Sequence, residues 1–235
     1  MNKKKFAAIV LSAGTGSRMQ SDIPKQYMLL GNYPVIYYSL QAFEKSAADS
    51  VILVAGPEDV SFCQKEIVDK YSLKKVQKVV AGGAERFLSV YEGLKAAEGA
   101  DYVLIHDGAR PLLSVDLIER CMKTVEKEKA CIPAVPVKDT IKISDAEGYV
   151  ADTPERSRMW AAQTPQCFAY PLLFFAYQEY FAAQARGMTD LAVTDDAMLV
   201  EYFADRKVKL LEGSNYNIKI TTPEDMRLAE MYSNI

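Results

Sequence analysis

The chain has 235 residues, 49% of them hydrophobic, with a formal net charge of -3 and a mean hydropathy of -0.08. That content fits one α/β domain spanning 1–235, and the acidic balance excludes the general basic footprint of a nucleic-acid binder. No run approaches the roughly 20 apolar residues that cross a bilayer, so no membrane partner is expected. The opening stretch MNKKKFAAIVLSAG has the charge and apolar order of a signal peptide. Its apolar part is short, however, and runs directly into Gly14, which favours a buried first strand. Cys63, Cys121, Cys131 and Cys167 are scattered without Cys-x-x-Cys spacing, as in a cytoplasmic protein with reduced thiols.

Along the chain, the continuous apolar runs 6–12, 50–55, 76–81, 102–106 and 130–135 predict strands covered on both faces. Between them, helical periodicity predicts helices starting near Pro34, over 57–71, over 84–98 and over 115–129, the last capped by Ser114. Thr222-Pro223-Glu224-Asp225 has the cap, proline and acids of another helix start. Strand and helix in alternation imply right-handed crossovers and a mostly parallel sheet flanked by helices, with ligands at the carboxyl ends of the strands. The segment 137–160 breaks this rhythm by alternating polar and apolar residues around Ala146-Glu147-Gly148. It predicts a β-hairpin arm, about 137–158, projecting from the body.

The residues that follow the strands carry the chemistry. After the first strand comes LSAGTGSRMQSDIPKQ, in which Gly14 and Gly16 allow close backbone approach, and Arg18 and Lys25 supply two cations. Met19 stands where a dinucleotide fingerprint needs its third glycine, which excludes a dinucleotide-dependent oxidoreductase. The Gly-Lys-Ser/Thr ending of a P-loop is also absent. Spacing alone leaves a solvated turn and a triphosphate grip equally open. The other loops favour the second. Asp107 ends the strand YVLIH, where a carboxylate suits Mg²⁺ bridging phosphates. Gly82 and Gly83 end another strand, with Ser89 beyond, and Lys219 adds a further cation. His106, the single histidine, reads as packed structure rather than as a catalyst.

LSAGTGSRM followed by PKQ resembles the signature of the sugar-phosphate nucleotidyltransferases. With HDGARP, PVKDT, WAAQTPQ, TDDA and NIKITTPED, the chain from about 6 to 232 resembles the 2-C-methyl-D-erythritol 4-phosphate cytidylyltransferase family. The resemblance implies a Rossmann-like fold, a homodimer joined through the arm, and transfer of a cytidylyl group from CTP to a polyol phosphate with Mg²⁺. It assigns catalysis to Arg18, Lys25, Lys219 and Arg156, the last serving the partner's site, and the metal to Asp107. It assigns substrate binding to Ala13, Gly14, Thr15, Gly16, Gly82, Gly83, Ser89, Arg110, Thr140, Thr164 and Thr194. Two positions depart from the pattern, Ala84 where some members carry an acid, and Tyr216 where some carry an aspartate. The nearest rival is a ribitol-5-phosphate cytidylyltransferase, which tends to read His-Asp-Ser-Val-Arg-Pro where this chain reads HDGARP. A non-catalytic nucleotide-binding module is a second rival, against which the retained cations and carboxylate speak.

Overall fold

The structure, a computed structural model, describes residues 3–14 and 23–233. In chain order the elements are β1 (Phe6–Ser12), β2 (Leu29–Leu30), β3 (Tyr33–Pro34), α1 (Val35–Lys45), β4 (Ser50–Ala55), α2 (Val60–Phe62) and β5 (Val76–Ala81). They continue with α3 (Arg86–Ala96), β6 (Tyr102–Asp107), α4 (Val115–Glu128), β7 (Ala130–Pro136), β8 (Ile143–Ser144), β9 (Val150–Asp152) and β10 (Trp160–Ala162). Last come β11 (Gln166–Ala169), α5 (Tyr170–Ala185), α6 (Asp196–Phe203), β12 (Lys209–Glu212) and α7 (Pro223–Ser233).

One sheet organises these elements, in the order β5-β4-β1-β6-β11-β7-β10, with β12 also paired to β7. Strands β5, β4, β1 and β6 run parallel, as does β12 with β7. Strand β11 runs antiparallel between β6 and β7, and β10 is antiparallel to the end of β7. The sheet is therefore mostly parallel, as the alternation predicts.

Successive side chains of a strand face opposite ways, and β1 shows what that does here. Ala8 and Val10 pack with Leu40 and Phe43 of α1 and Ile118 and Val125 of α4. Ala7 and Ile9 pack with Leu94 of α3 and Leu173 and Tyr177 of α5. Both faces are thus covered, which is why the run is apolar throughout. The face of α4 follows the same logic, with Leu117, Ile118, Cys121, Met122 and Val125 buried. Ser114 caps it as expected, its Oγ accepting from the Leu117 N–H at 3.2 Å.

Three features differ from expectation. Strand β5 lies at the sheet edge beside β4, so Gln77, Lys78 and Ala81 are exposed rather than covered. Segment 57–71 is not one α-helix. It opens with a 3₁₀ turn at Pro57–Asp59, makes a single α turn, and widens into a π-helical stretch over Cys63–Asp69. Its buried residues Cys63, Ile67 and Val68 recur at four and five positions, which a wider turn keeps on one face. Finally, β11, α5, α6 and β12 fill a region in which no element is expected from the sequence.

The arm is a hairpin. Strands β8 and β9 pair antiparallel, and Asp145 Oδ1 closes the turn by accepting from Glu147 N at 3.0 Å and Tyr149 N at 2.9 Å. Gly148 takes the positive φ of 90° that this turn requires. Among the described residues, no helix is long and apolar enough to cross a membrane.

Helix α3 lies unusually close to the sheet at Gly93, where an added Cβ would meet Ile9 Cγ2 at 2.4 Å and Val54 Cγ2 at 3.1 Å. Alanine gains about 1 kcal/mol of helix propensity over glycine, whereas overpacking costs about 1–3 kcal/mol. Gly93→Ala is therefore expected to lower the free energy of unfolding measured in urea. Equal or greater stability would show that α3 moves freely off the sheet.

Candidate active site

The carboxyl ends of the parallel strands open on one cleft, as such sheets arrange. Its walls are Ser12 at the end of β1 with Ala13 and Gly14 beyond it, Lys25 and Gln26, the segment Gly83–Arg86, Ser89, Asp107 and Lys219. A second cleft shares Arg86, Asp107 and Lys219, and continues through Arg110, Gln163, Thr164, Thr194 and Asp195. The two clefts meet at those three shared residues. Gly14 and Gly83 line the first alone, and Thr164, Thr194 and Gln163 the second alone.

The first cleft is shaped by backbone held tightly in place. Gln26 is 3% exposed. Its Nε2 donates to the carbonyls of Ser12 at 2.8 Å and Gly14 at 3.0 Å, fixing the loop after β1. Beside it, Tyr27 donates from its hydroxyl to Asp59 Oδ2 at 3.2 Å, tying the Lys25–Tyr27 turn to the body. A Cβ on Gly82 would lie 2.7 Å from both Ala13 Cβ and Ser89 Oγ, so glycine is needed where these two loops touch. Ser89 Oγ accepts from Gly83 N at 3.1 Å and donates toward Glu85 O at 3.1 Å. That hydroxyl braces the glycine loop as well as lining the cleft.

Asp107 is the electrostatic centre. Its Oδ1 accepts from Arg86 Nε at 3.2 Å, while its Oδ2 lies 2.8 Å from Lys219 Nζ and 3.9 Å from Arg110 Nε. Burial pushes this carboxyl upward, but the charges of Arg86 and Lys219 outweigh it and hold the group well below the usual carboxylate range. It is therefore ionised at neutral pH. Arg86 reaches a second carboxylate with Nη2, 3.0 Å from Oδ2 of the fully buried Asp196. Arg110 is anchored by Nη1, which donates to Asn217 O at 2.7 Å.

His106 belongs to the frame, as its sequence reading holds. It is completely buried, with Nδ1 2.9 Å from Thr164 Oγ1 and Nε2 3.3 Å from Arg110 O. Burial pushes its imidazole down to about 4, so it is neutral at pH 7. Thr164 Oγ1 also accepts from Asp107 N at 3.2 Å, and Asn217 Nδ2 donates to Thr164 O at 2.7 Å. These bonds lock the loop after β6 to the segments around Thr164 and Asn217.

Of the residues expected from the sequence, the structure brings Ala13, Gly14, Lys25, Gly83, Ser89, Asp107, Arg110, Thr164, Thr194 and Lys219 to the paired clefts. Gly82 stands directly behind them against Ala13. Thr15, Gly16 and Arg18 lie outside the described residues. Thr140 and Arg156 are exposed on the arm and line neither cleft of their own chain, Arg156 Nη1 donating to Lys138 O at 3.2 Å. Tyr216 is 60% exposed and packs edge-on against Tyr232 at 5.0 Å. Sequence reasoning missed Arg86, Gln26, Asn217 and Asp196. Arg86 carried a usable signal, since it follows the glycine pair by three residues at the start of a helix.

Among the described residues no three His, Cys, Asp or Glu side chains converge on one point. Among the described residues, Asp107 is the carboxylate that both clefts share, and it stands beside three cations. That donor set suits a magnesium ion shared with phosphate oxygens and water, and does not suit one held by protein alone.

Comparison with known proteins bears on this geometry. Residues 6–234 match the family model for 2-C-methyl-D-erythritol 4-phosphate cytidylyltransferase. The enzyme of that name from Lachnoclostridium phytofermentans is 47% identical over 227 residues, covering 97% of this chain and 95% of its own. Its counterpart from Lachnospira eligens is 46% identical, covering 96% and 97%. Among solved structures, the 4-diphosphocytidyl-2C-methyl-D-erythritol synthase of Anaerococcus prevotii superposes with a TM-score of 0.84 at 37% identity, covering 99% of this chain and 97% of its own. The Thermus thermophilus cytidylyltransferase gives a TM-score of 0.75 at 30% identity, covering 97% and 98%. With the strand-end clefts in place and similarity running the length of both chains, this chain belongs to the 2-C-methyl-D-erythritol 4-phosphate cytidylyltransferase family.

Proposed function

We propose that this chain joins CTP to 2-C-methyl-D-erythritol 4-phosphate in the cytoplasm, giving CDP-methylerythritol and pyrophosphate for isoprenoid synthesis. The observation that carries this reading is the meeting of two clefts at Lys219 and Asp107. The glycine-lined cleft takes the nucleotide. The cleft of Arg110, Thr164 and Thr194 takes the polyol phosphate, so that its oxygen faces the α-phosphorus.

The chemistry needs no general base. A phosphate monoester has a second pKa of about 6 and is largely dianionic at neutral pH. Its oxygen forms a bond to the α-phosphorus, the bond from that phosphorus to the bridging oxygen breaks, and pyrophosphate leaves. The difficulty is repulsion between two polyanions. Positioning and positive charge must therefore supply most of the acceleration. Lys25 and Arg18 stabilise charge building on the α-phosphate, and Lys219 and Arg110 draw in the incoming phosphate. Asp107 would hold Mg²⁺, which when bound neutralises phosphate charge.

Arg156 and Thr140 complete the reading from the partner of a homodimer. Both sit on an arm whose Ile143, Tyr149 and Val150 are exposed at 48, 71 and 63%. Such apolar side chains on a projecting hairpin suit burial against a second copy.

Lys25→Ala and Arg18→Ala should each lower kcat by about 10²–10³, with the KM for CTP changed far less. Wild-type turnover in both variants would remove these residues from the mechanism. Mixing Arg156→Ala with Lys25→Ala subunits should restore measurable activity through heterodimers that carry one intact site. A mixture no more active than its parents would oppose a shared site. The activity itself is tested by assaying pyrophosphate release from CTP with methylerythritol phosphate and with ribitol 5-phosphate in parallel. The reading expects release with the first only, and preference for the second would overturn it.

A further inference from the structure

Among the described residues of the site, Arg86 is the cation whose guanidinium touches two carboxylates at once. Nε lies 3.2 Å from Asp107 Oδ1, and Nη2 lies 3.0 Å from Asp196 Oδ2. Asp196 is in turn deeply anchored. It is fully buried at the start of α6, its Oδ1 accepts from Tyr177 of α5 at 2.7 Å, and its N–H donates to Gln166 of β11 at 3.0 Å. The other two partners of Asp107 offer no comparable hold. Lys219 is 37% exposed on a flexible stem, and Arg110 stands 3.9 Å away.

We propose that Arg86 is a positioning residue: held by Asp196, which Tyr177 steadies, it fixes the plane of the Asp107 carboxylate, so that Oδ2 faces Lys219 and the carboxylate is aimed at the place where it would hold the counter-ion of the phosphates. This rests on the reading that CTP and magnesium meet at Asp107. The argument is geometric. A forked guanidinium fixes two partners at a set spacing, whereas a single ammonium on a flexible stem cannot be in both places. The buried charge of Asp196 is costly unless paired, and Arg86 is the cation that pairs it. The chain Tyr177–Asp196–Arg86–Asp107 thus ties α5 and α6 to the meeting point of the clefts. It also separates two roles. A residue that binds ground state and transition state equally governs nucleotide affinity, while one that aims Asp107 governs the reaction step together with the gain in affinity that Mg²⁺ confers.

Two variants of the full chain test this, Arg86→Lys and Tyr177→Phe. The readouts are steady-state pyrophosphate release and calorimetric titration of CTP with and without Mg²⁺, in the absence of the polyol phosphate. Arg86→Lys keeps the charge and should lower kcat by about 10- to 100-fold, leave the KM for CTP within about threefold, and shrink the gain in CTP affinity that Mg²⁺ confers. Tyr177→Phe removes the hydroxyl that steadies Asp196 and should shift the same quantities in the same direction, by less. Wild-type kcat in Arg86→Lys would overturn the proposal. So would a lowered kcat or a raised KM for CTP with the magnesium effect intact, the pattern of a residue that contacts phosphate itself. If wild-type chain binds CTP but releases no pyrophosphate with methylerythritol phosphate, the activity reading fails. The calorimetric arm would still decide on Arg86.

Discussion

One buried negative charge sets the terms for the rest of this site. Asp107 ends a fully covered strand, where an isolated carboxylate would be costly, and it is tolerated because Arg86, Lys219 and Arg110 surround it. Arg86 also pairs Asp196, so three cations and two carboxylates are tied into one cluster at the place where the two clefts meet. The ionised form of Asp107 is favoured in the fold relative to an unfolded aspartate. The pairing therefore stabilises the fold above pH of about 4, and that contribution is lost progressively as the solution becomes more acidic.

Function follows from where the sheet delivers its residues. The parallel order brings the ends of β1, β5 and β6 to one edge, so loops far apart in sequence share a cleft. Their glycines remove side chains where loops touch, as at Gly82 against Ala13 and Ser89. Buried amides and hydroxyls then hold the backbone still: Gln26 on the first loop, Ser89 on the second, Thr164 and Asn217 on the third. A reaction with no proton to remove needs little else from its enzyme than rigid donors and well-placed charge.

Much of this was legible in the residues, for physical reasons. Strands covered on both faces must be apolar throughout, so β1, β4 and β6 announce themselves. Ser114 and the apolar stripe of α4 follow from capping and helical period. The strand-end glycines and Asp107 draw notice because they stand beside apolar runs, and Lys219 because it lies in NIKITTPED, one of the motifs that carry the resemblance. What escaped lacks a local pattern. Helix α5, YPLLFFAYQEYFAAQA, is apolar around most of its circumference, so no stripe betrays it. Strand β5 looks like its neighbours, and only its edge position exposes Lys78. Arg86 and Asp196 are 110 positions apart and acquire meaning only when α3 and α6 bring them into contact. The resemblance leads to an aspartate at position 216 in some members; here the ring of Tyr216 turns toward Tyr232.

The most direct test is a crystal structure of this chain with CTP and magnesium bound. The account predicts the triphosphate along the loop after β1, its α-phosphate within reach of Lys25 and its magnesium beside Asp107, with the cleft of Thr164 and Arg110 open next to it. A triphosphate seated away from Asp107, with Lys25 and Lys219 both turned to bulk water, would contradict it.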